Sequence, residues 1–233
     1  MAIMNKLASR EENILNFIIR DYVASAQPVS SGHISKSGNF RLSPATIRNA
    51  MQELDEEGFL EQTHTSSGRV PTDKAYRYFV DNLMEFKEPP RKDRAEFEGL
   101  ILENFARKLS YELGLFTGVA SFKESPRVWG FGLEQVFSEP EFSDRNLTVE
   151  FSRLVDNLEK VAEKFIEGPS ESRPEVFIGQ ENPLERAREF SSVVMKFSDS
   201  ELGNCVVFSL GPKRMNYEKA SSLINFVVRD IIG

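Results

Sequence analysis

FRLSPATIRNAMQELDEEGFLEQ, residues Phe40 to Gln62, has an acid-free front and an acidic back. Ser43 is placed to cap a helix, and Pro44 suits the first helical position, where its missing N–H is not needed. Ile47, Met51 and Leu54 recur as one inward stripe, and Gly58 stops the helix. Glu53, Asp55, Glu56 and Glu57 crowd its far end, yet the next carboxylate upstream is Asp21, and only Lys36, Arg41, Arg48 and His33 interrupt the gap as basic groups. With the stripe inward, the first turns present Ser43, Ala45, Thr46, Arg48, Asn49 and Gln52 outward. These groups suit a DNA major groove: Arg pairs with guanine, Asn and Gln pair with adenine, and the methyl groups of Ala and Thr lie against thymine. A carboxylate there would meet the phosphate wall. Ser43 and the free amides beside it also suit a phosphate at the positive end of the helix. A merely solvated helix face carries the same residue types, so the surroundings have to decide.

Upstream, Ser9 with Glu12 reads as a capping box, and Ile14, Phe17, Ile18 and Tyr22 recur at helical spacing. Pro28 breaks that helix, a short second one runs from Ser30 or Ser31 to Lys36, and Gly38 is placed to end it. Downstream, FLEQTHTSSGRVPT (59–72) reads as two short strands around Ser66, Ser67 and Gly68. A capping Thr72 then leads a helix through Tyr76, Phe79, Val80, Leu83 and Met84. Three helices and a hairpin in this order are the plan of a winged helix-turn-helix. Lys36 and Arg41 flank the turn that grips the DNA backbone in such folds, and His64 and Arg69 lie on the wing. For both wing residues a plain surface role stays open.

KEPPRKD (87–93) is charged and contains prolines. It divides a DNA-binding domain (1–88) from a linker (89–98) and a second domain (99–233). Phe97, Ile101, Phe105, Leu109 and Leu113 predict one long helix, with its start placed near Asp93. Strands are expected at 118–122, 128–132, 175–179, 191–197 and 204–210. One helix striped by Leu147, Phe151, Leu154, Leu158, Val161 and Phe165 separates the second strand from the third. Ala220, Leu223, Val227 and Ile231 stripe the last helix. The expected class is α+β, an antiparallel sheet with helices covering one side.

The 233 residues carry a formal charge of −7, so a polyanion-binding face has to be local. Through Lys87 there are 10 basic against 11 acidic residues, which leaves 19 against 25 for the remainder; the acidity sits in the second half. A single cysteine, Cys205, excludes an internal disulfide and a cysteine-built zinc site, and inside NCVVFSL it reads as a small buried hydrophobe. The amino terminus turns polar too early for a signal peptide and no apolar run approaches ~18 residues, so a cytoplasmic protein away from membranes is expected. With only His33 and His64, no nucleophile–base set and no phosphate loop or metal cluster, neither enzymatic activity nor a cofactor is expected. Phe116, Phe122, Trp129, Phe131 and Phe208 either line a small-molecule pocket or form plain core. In GPKRMNY (211–217), Lys213 and Arg214 either bind an anion or partner or belong to a surface loop with Met215 and Tyr217 tucked inward.

SPATIRN (43–49) and HTSSGRVPTDKAYR (64–77), at this spacing, resemble the bacterial heat-inducible transcription repressors of the HrcA family. EQVFSEPEFSD (134–144), FIGQEN (177–182) and GPKRMNYEKA (211–220) extend the resemblance into the second half. It implies a winged helix joined to a GAF-like domain that represses chaperone operons by binding an inverted repeat of the CIRCE type as a homodimer. It further implies that a chaperonin of the GroEL type supports the active form. Matched by position, Ser43, Pro44, Thr46, Arg48 and Asn49 face the DNA from the helix, and His64 and Arg69 from the wing. The family's dimerising insertion is missing: TGVASFKESPRVWGFG (117–132) passes from one strand to the next almost directly. A homodimer then has to form through the GAF-like domain or the helix placed at 93–113.

Overall fold

Amphipathic helices need a partner for their apolar stripe, and the first third of the chain supplies one to each. The structure, a computed structural model, describes residues 7–37, 40, 42–62, 68–90, 97, 100–168 and 173–232. The chain divides into two units, Met1–Met84 and Glu85–Gly233, so that residues 85–88 group with the second. The first unit runs α1 (Ser9–Ser25), α2 (Ser31–Lys36), α3 (Pro44–Glu56), β1 (Leu60–Gln62), β2 (Arg69–Pro71) and α4 (Asp73–Tyr78), which continues into a π-helical turn over Phe79–Leu83. Ile14, Leu15, Ile18 and Ile19 of α1 are buried with Ile34 of α2 and with Ile47, Ala50, Met51 and Leu54 of α3. α3 packs on both of the preceding helices.

Caps fix where these helices begin. The Ser43 Oγ accepts the Thr46 N–H at 3.1 Å, Ser30 caps α2 and Thr72 caps α4. The expected capping box at Ser9 does not form: Ser9 lies inside the first turn of α1 and no side chain caps that end. Glu12 instead accepts a hydrogen bond from the Tyr78 hydroxyl at 2.8 Å, a long-range partner that ties α4 to α1. β1 and β2 pair antiparallel, and Val29 exchanges two 2.9 Å backbone hydrogen bonds with Arg69. That bridge brings Pro28 so near Gly68 that a Cβ there would stand 2.7 Å from a Pro28 backbone carbon; the close approach requires glycine. The hairpin tip, 63–67, lies outside the described residues, as does Gly38.

The second unit runs α5 (Leu102–Leu113), β3 (Phe116–Ser121), β4 (Arg127–Phe131), α6 (Leu133–Phe137), α7 (Arg145–Val155), α8 (Leu158–Glu167), β5 (Glu175–Ile178), β6 (Ser191–Asp199), β7 (Gly203–Gly211) and α9 (Tyr217–Phe226). All five strands pair antiparallel in the order β4-β3-β7-β6-β5. This is the expected α+β class, and the order fits a GAF-like fold.

Three expectations are corrected. Helices cover both faces of the sheet rather than one: α5 and α9 pack on one side, and α7 and α8 build the core on the other. The burial of the strands agrees, since β3 is buried at all six positions instead of alternating. The helix expected across 147–165 is two helices, broken where the Asn157 side chain donates to the Arg153 carbonyl at 2.9 Å and competes with the backbone. Of the helix expected across 93–113, the described part is helical only over Leu102–Leu113: Phe97 stands in a turn and Ile101, assigned to the buried stripe, is 65% exposed ahead of the helix, while Asp93 lies outside the described residues.

Candidate nucleic-acid interface

α3 turns Ile47, Ala50, Met51 and Leu54 inward, and the helical period then leaves Ser43, Pro44, Ala45, Arg48, Asn49 and Gln52 exposed on its other side, with Thr46 half-buried. Arg48 and Asn49 have no hydrogen-bond or ion-pair partner among the described residues, and neither has Lys36, exposed at the end of α2. Gln52 donates to Glu56 at 2.9 Å, and the Ser43 and Thr46 hydroxyls meet at 2.9 Å beside the cap. The front of α3 therefore shows a cap, small apolar groups and two side chains able to donate hydrogen bonds, with no carboxylate on its first two turns.

The acids that bound this front are engaged elsewhere. Asp21 accepts from His33 Nε2 at 3.0 Å, Glu53 lies 3.3 Å from Arg10, and Asp55 holds Arg69 at 2.7 Å. The last pair was not readable from the sequence, because it depends on the bridge from Val29 setting the direction of β2. It places Arg69, expected as a wing contact, with an internal carboxylate partner, so that phosphate would have to compete with Asp55. Arg41 and His64 lie outside the described residues.

In the second unit, several of the residues that sequence reasoning left open are built into the scaffold. Phe116 and Phe208 are core. With Phe142, Phe151, Phe165 and Phe190 they fill the space between the sheet and α7–α8, at ring-centroid separations of 5.0 Å for Phe151–Phe190 and 5.2 Å for Phe165–Phe208. Trp129 and Phe131 are half-buried on the other face, where the Arg107 guanidinium lies 4.2 Å from the Phe131 ring centre. Arg214 does bind anions, but internal ones: its Nε donates to Glu141 at 2.5 Å and its Nη2 to Glu139. Burial alone would pull the Arg214 pKa down, and the two carboxylates overturn that and leave it raised. Met215 and Tyr217 are tucked inward, with Tyr217 hydrogen-bonded to Ser191 at 2.8 Å. In FIGQEN, Asn182 donates to the carbonyls of Gly179 and Phe190 and accepts from Ser192 at 2.6 Å. Cys205 is fully buried, and its thiol is pushed up to about 11 by burial and then by Asp199, which suits an inert core position.

Among the described residues, no helix is long and apolar enough to cross a membrane, and no cluster of three His, Cys, Asp or Glu could hold a metal. A family model described as HrcA protein C terminal domain matches residues 84–220. The chain is 53% identical over 93 residues to the heat-inducible transcription repressor HrcA of Chlorobium chlorochromatii, a stretch covering 40% of this chain and 27% of that protein. It is 38% identical over 149 residues to the repressor of the same name from Lysinibacillus sphaericus, covering 61% and 43%. The chain thus spans less than half the length of these relatives. Among solved structures, a crystal structure of a hypothetical protein superposes with a TM-score of 0.82 at 17% identity, covering 97% of this chain and 98% of that one; at this identity the likeness is one of fold.

Proposed function

The chain belongs to the HrcA family, and on that premise we propose that it is a sequence-specific DNA-binding transcriptional repressor of heat-shock operons. Its first unit acts as a winged helix-turn-helix with α3 as the recognition helix. The second unit acts as a GAF-like regulatory and dimerisation domain. The operator is an inverted repeat, which calls for two copies whose recognition helices are about 34–36 Å apart or a multiple of that. The chaperonin dependence of the family belongs to the same reading, as does a cytoplasmic location.

The observation that carries the proposal is the front of α3: exposed Arg48 and Asn49 without side-chain partners among the described residues, on an acid-free face of a protein with net charge −7. A solvated helix face on an acidic protein has no reason to exclude carboxylates, whereas a face that enters a phosphate-lined groove does. The filled phenylalanine core gives no support to a small-molecule sensor. The test is selection of bound sequences from random duplex DNA. Recovery of an inverted repeat, with affinity falling steeply as salt rises, is expected. Indifference to every duplex would overturn the reading.

A further inference from the structure

Among the described residues nothing pairs with the outer edge of β4, and the geometry points to a second copy of this chain as its occupant: two copies join β4 to β4, antiparallel, across a two-fold axis through Trp129. The inference rests on the proposal that two copies act together and names the surface through which they meet.

The phase of the sheet identifies which backbone groups are open. The Phe122 N–H donates to the Asn204 carbonyl at 2.8 Å, continuing the register in which Ser121 faces Cys205. Backbone groups alternate in direction along a strand, so Gly118 and Ala120 also point at β7, while Thr117, Val119 and Ser121 point at β4. Their partners Phe131, Trp129 and Arg127 point back. The N–H and C=O of Val128 and Gly130 are left facing outward, and among the described residues nothing bonds them. Gly130 is itself exposed. The opposite edge of the sheet is closed: on β5 the Ile178 N–H is taken by Glu181 Oε2 at 2.9 Å, and Val176 is engaged as well.

An open edge templates another strand, and the pattern around Trp129 suits this strand itself. Antiparallel self-pairing about Trp129 sets Val128 opposite the partner's Gly130, and Gly130 opposite the partner's Val128, so every outward N–H meets an outward C=O. Trp129 meets its own copy in the non-hydrogen-bonded position, where side chains approach most closely, with Cα atoms about 4.5 Å apart. On the same face of the sheet Arg127 falls opposite the partner's Phe131, a second cation beside a ring that Arg107 already approaches at 4.2 Å. An unrelated strand would satisfy the backbone, but the cation and the ring placed evenly on either side of Trp129 complement each other only when the strand meets itself. α5 packs on this face against β3 and β4.

The test is made without DNA, on the full chain at tens of micromolar. Light scattering should return a dimer mass. Trp129→Lys and Trp129→Glu, each folded by circular dichroism, should each be monomeric, and mixing them one to one should restore the dimer. Trp129→Cys should form a covalent dimer on mild oxidation, since Cys205, the one native cysteine, is buried. A monomeric wild type, a dimer indifferent to either charge, or a dimeric Trp129→Cys protein that does not cross-link would overturn the inference. A dimer that ignores duplex DNA would instead overturn the proposed function and leave this inference standing.

Discussion

SPATIRN (43–49) at the start of α3 and GPKRMNY (211–217) ahead of α9 are equally recognisable stretches, and each contains an arginine and an asparagine. Their side chains go to opposite ends. Arg48 and Asn49 are exposed, without a side-chain partner among the described residues, whereas Arg214 is sunk between Glu139 and Glu141, and the Asn216 side chain caps α9 by accepting the Lys219 N–H at 3.0 Å. A distinctive motif therefore does not say by itself whether it is surface or scaffold. What separates the two is the nearest carboxylate: two close on Arg214, while those bounding the front of α3 face other bases.

The strongest way to break the comparison is on the scaffold side. Arg214→Ala leaves two carboxylates facing each other without their cation, and chemical denaturation should show a loss of about 3 kcal/mol, the lower end for a broken buried pair because both acids keep some water. Replacing Glu139 and Glu141 with Gln in the same protein should recover much of it. A loss below about 1 kcal/mol would mean that the cluster is dispensable. Asn182→Ala comes next. It strips a partner from two carbonyls and from the Ser192 hydroxyl in a buried network, and a loss of about 2 kcal/mol is expected by the same measurement.

On the surface side the expected effects move from stability to binding. Arg48→Ala should leave the unfolding free energy within about 0.5 kcal/mol of wild type. It should reduce the preference for the selected operator over random duplex by about 1–3 kcal/mol, read by competition binding. Lys36→Ala should weaken specific and random duplex alike and lower the salt slope by about one. Equal loss on both DNAs for Arg48→Ala would remove it from base reading.

How much of this was legible follows from the range of the interactions involved. The start of α3 was readable because Ser43, Pro44 and the stripe of Ile47, Met51 and Leu54 act within a few residues of one another. The five strands were readable as apolar runs bounded by turns. The cover on both faces was not legible, because the β3 run FTGVAS mixes Thr, Gly and Ser with apolar residues, and its burial at all six positions shows only in the structure. The break at Asp156–Asn157 was missed because the apolar stripe continues across it, while the side chain that ends the helix is polar and was not counted. Arg69 with Asp55 and Arg214 with Glu139 and Glu141 join residues 14 and more than 70 positions apart, which no local pattern can express.

Ser43 lets the two halves of the comparison be separated at a single atom. Its hydroxyl caps α3, and it also stands on the acid-free front. Asp caps a helix as well as Ser does and adds a favourable charge at the positive end of the helix dipole, so Ser43→Asp should hold the unfolding free energy within about 0.5 kcal/mol of wild type or raise it slightly. The same carboxylate would stand where phosphate is proposed to approach, and duplex affinity should fall by several-fold at low salt, with the loss shrinking as salt rises. Ser43→Ala gives the converse, a loss of about 1 kcal/mol in stability without an added repulsion. If Ser43→Asp binds duplex as wild type does while its stability is unchanged, the absence of carboxylates from this face has nothing to do with DNA, and the front of α3 returns to being a solvated helix surface.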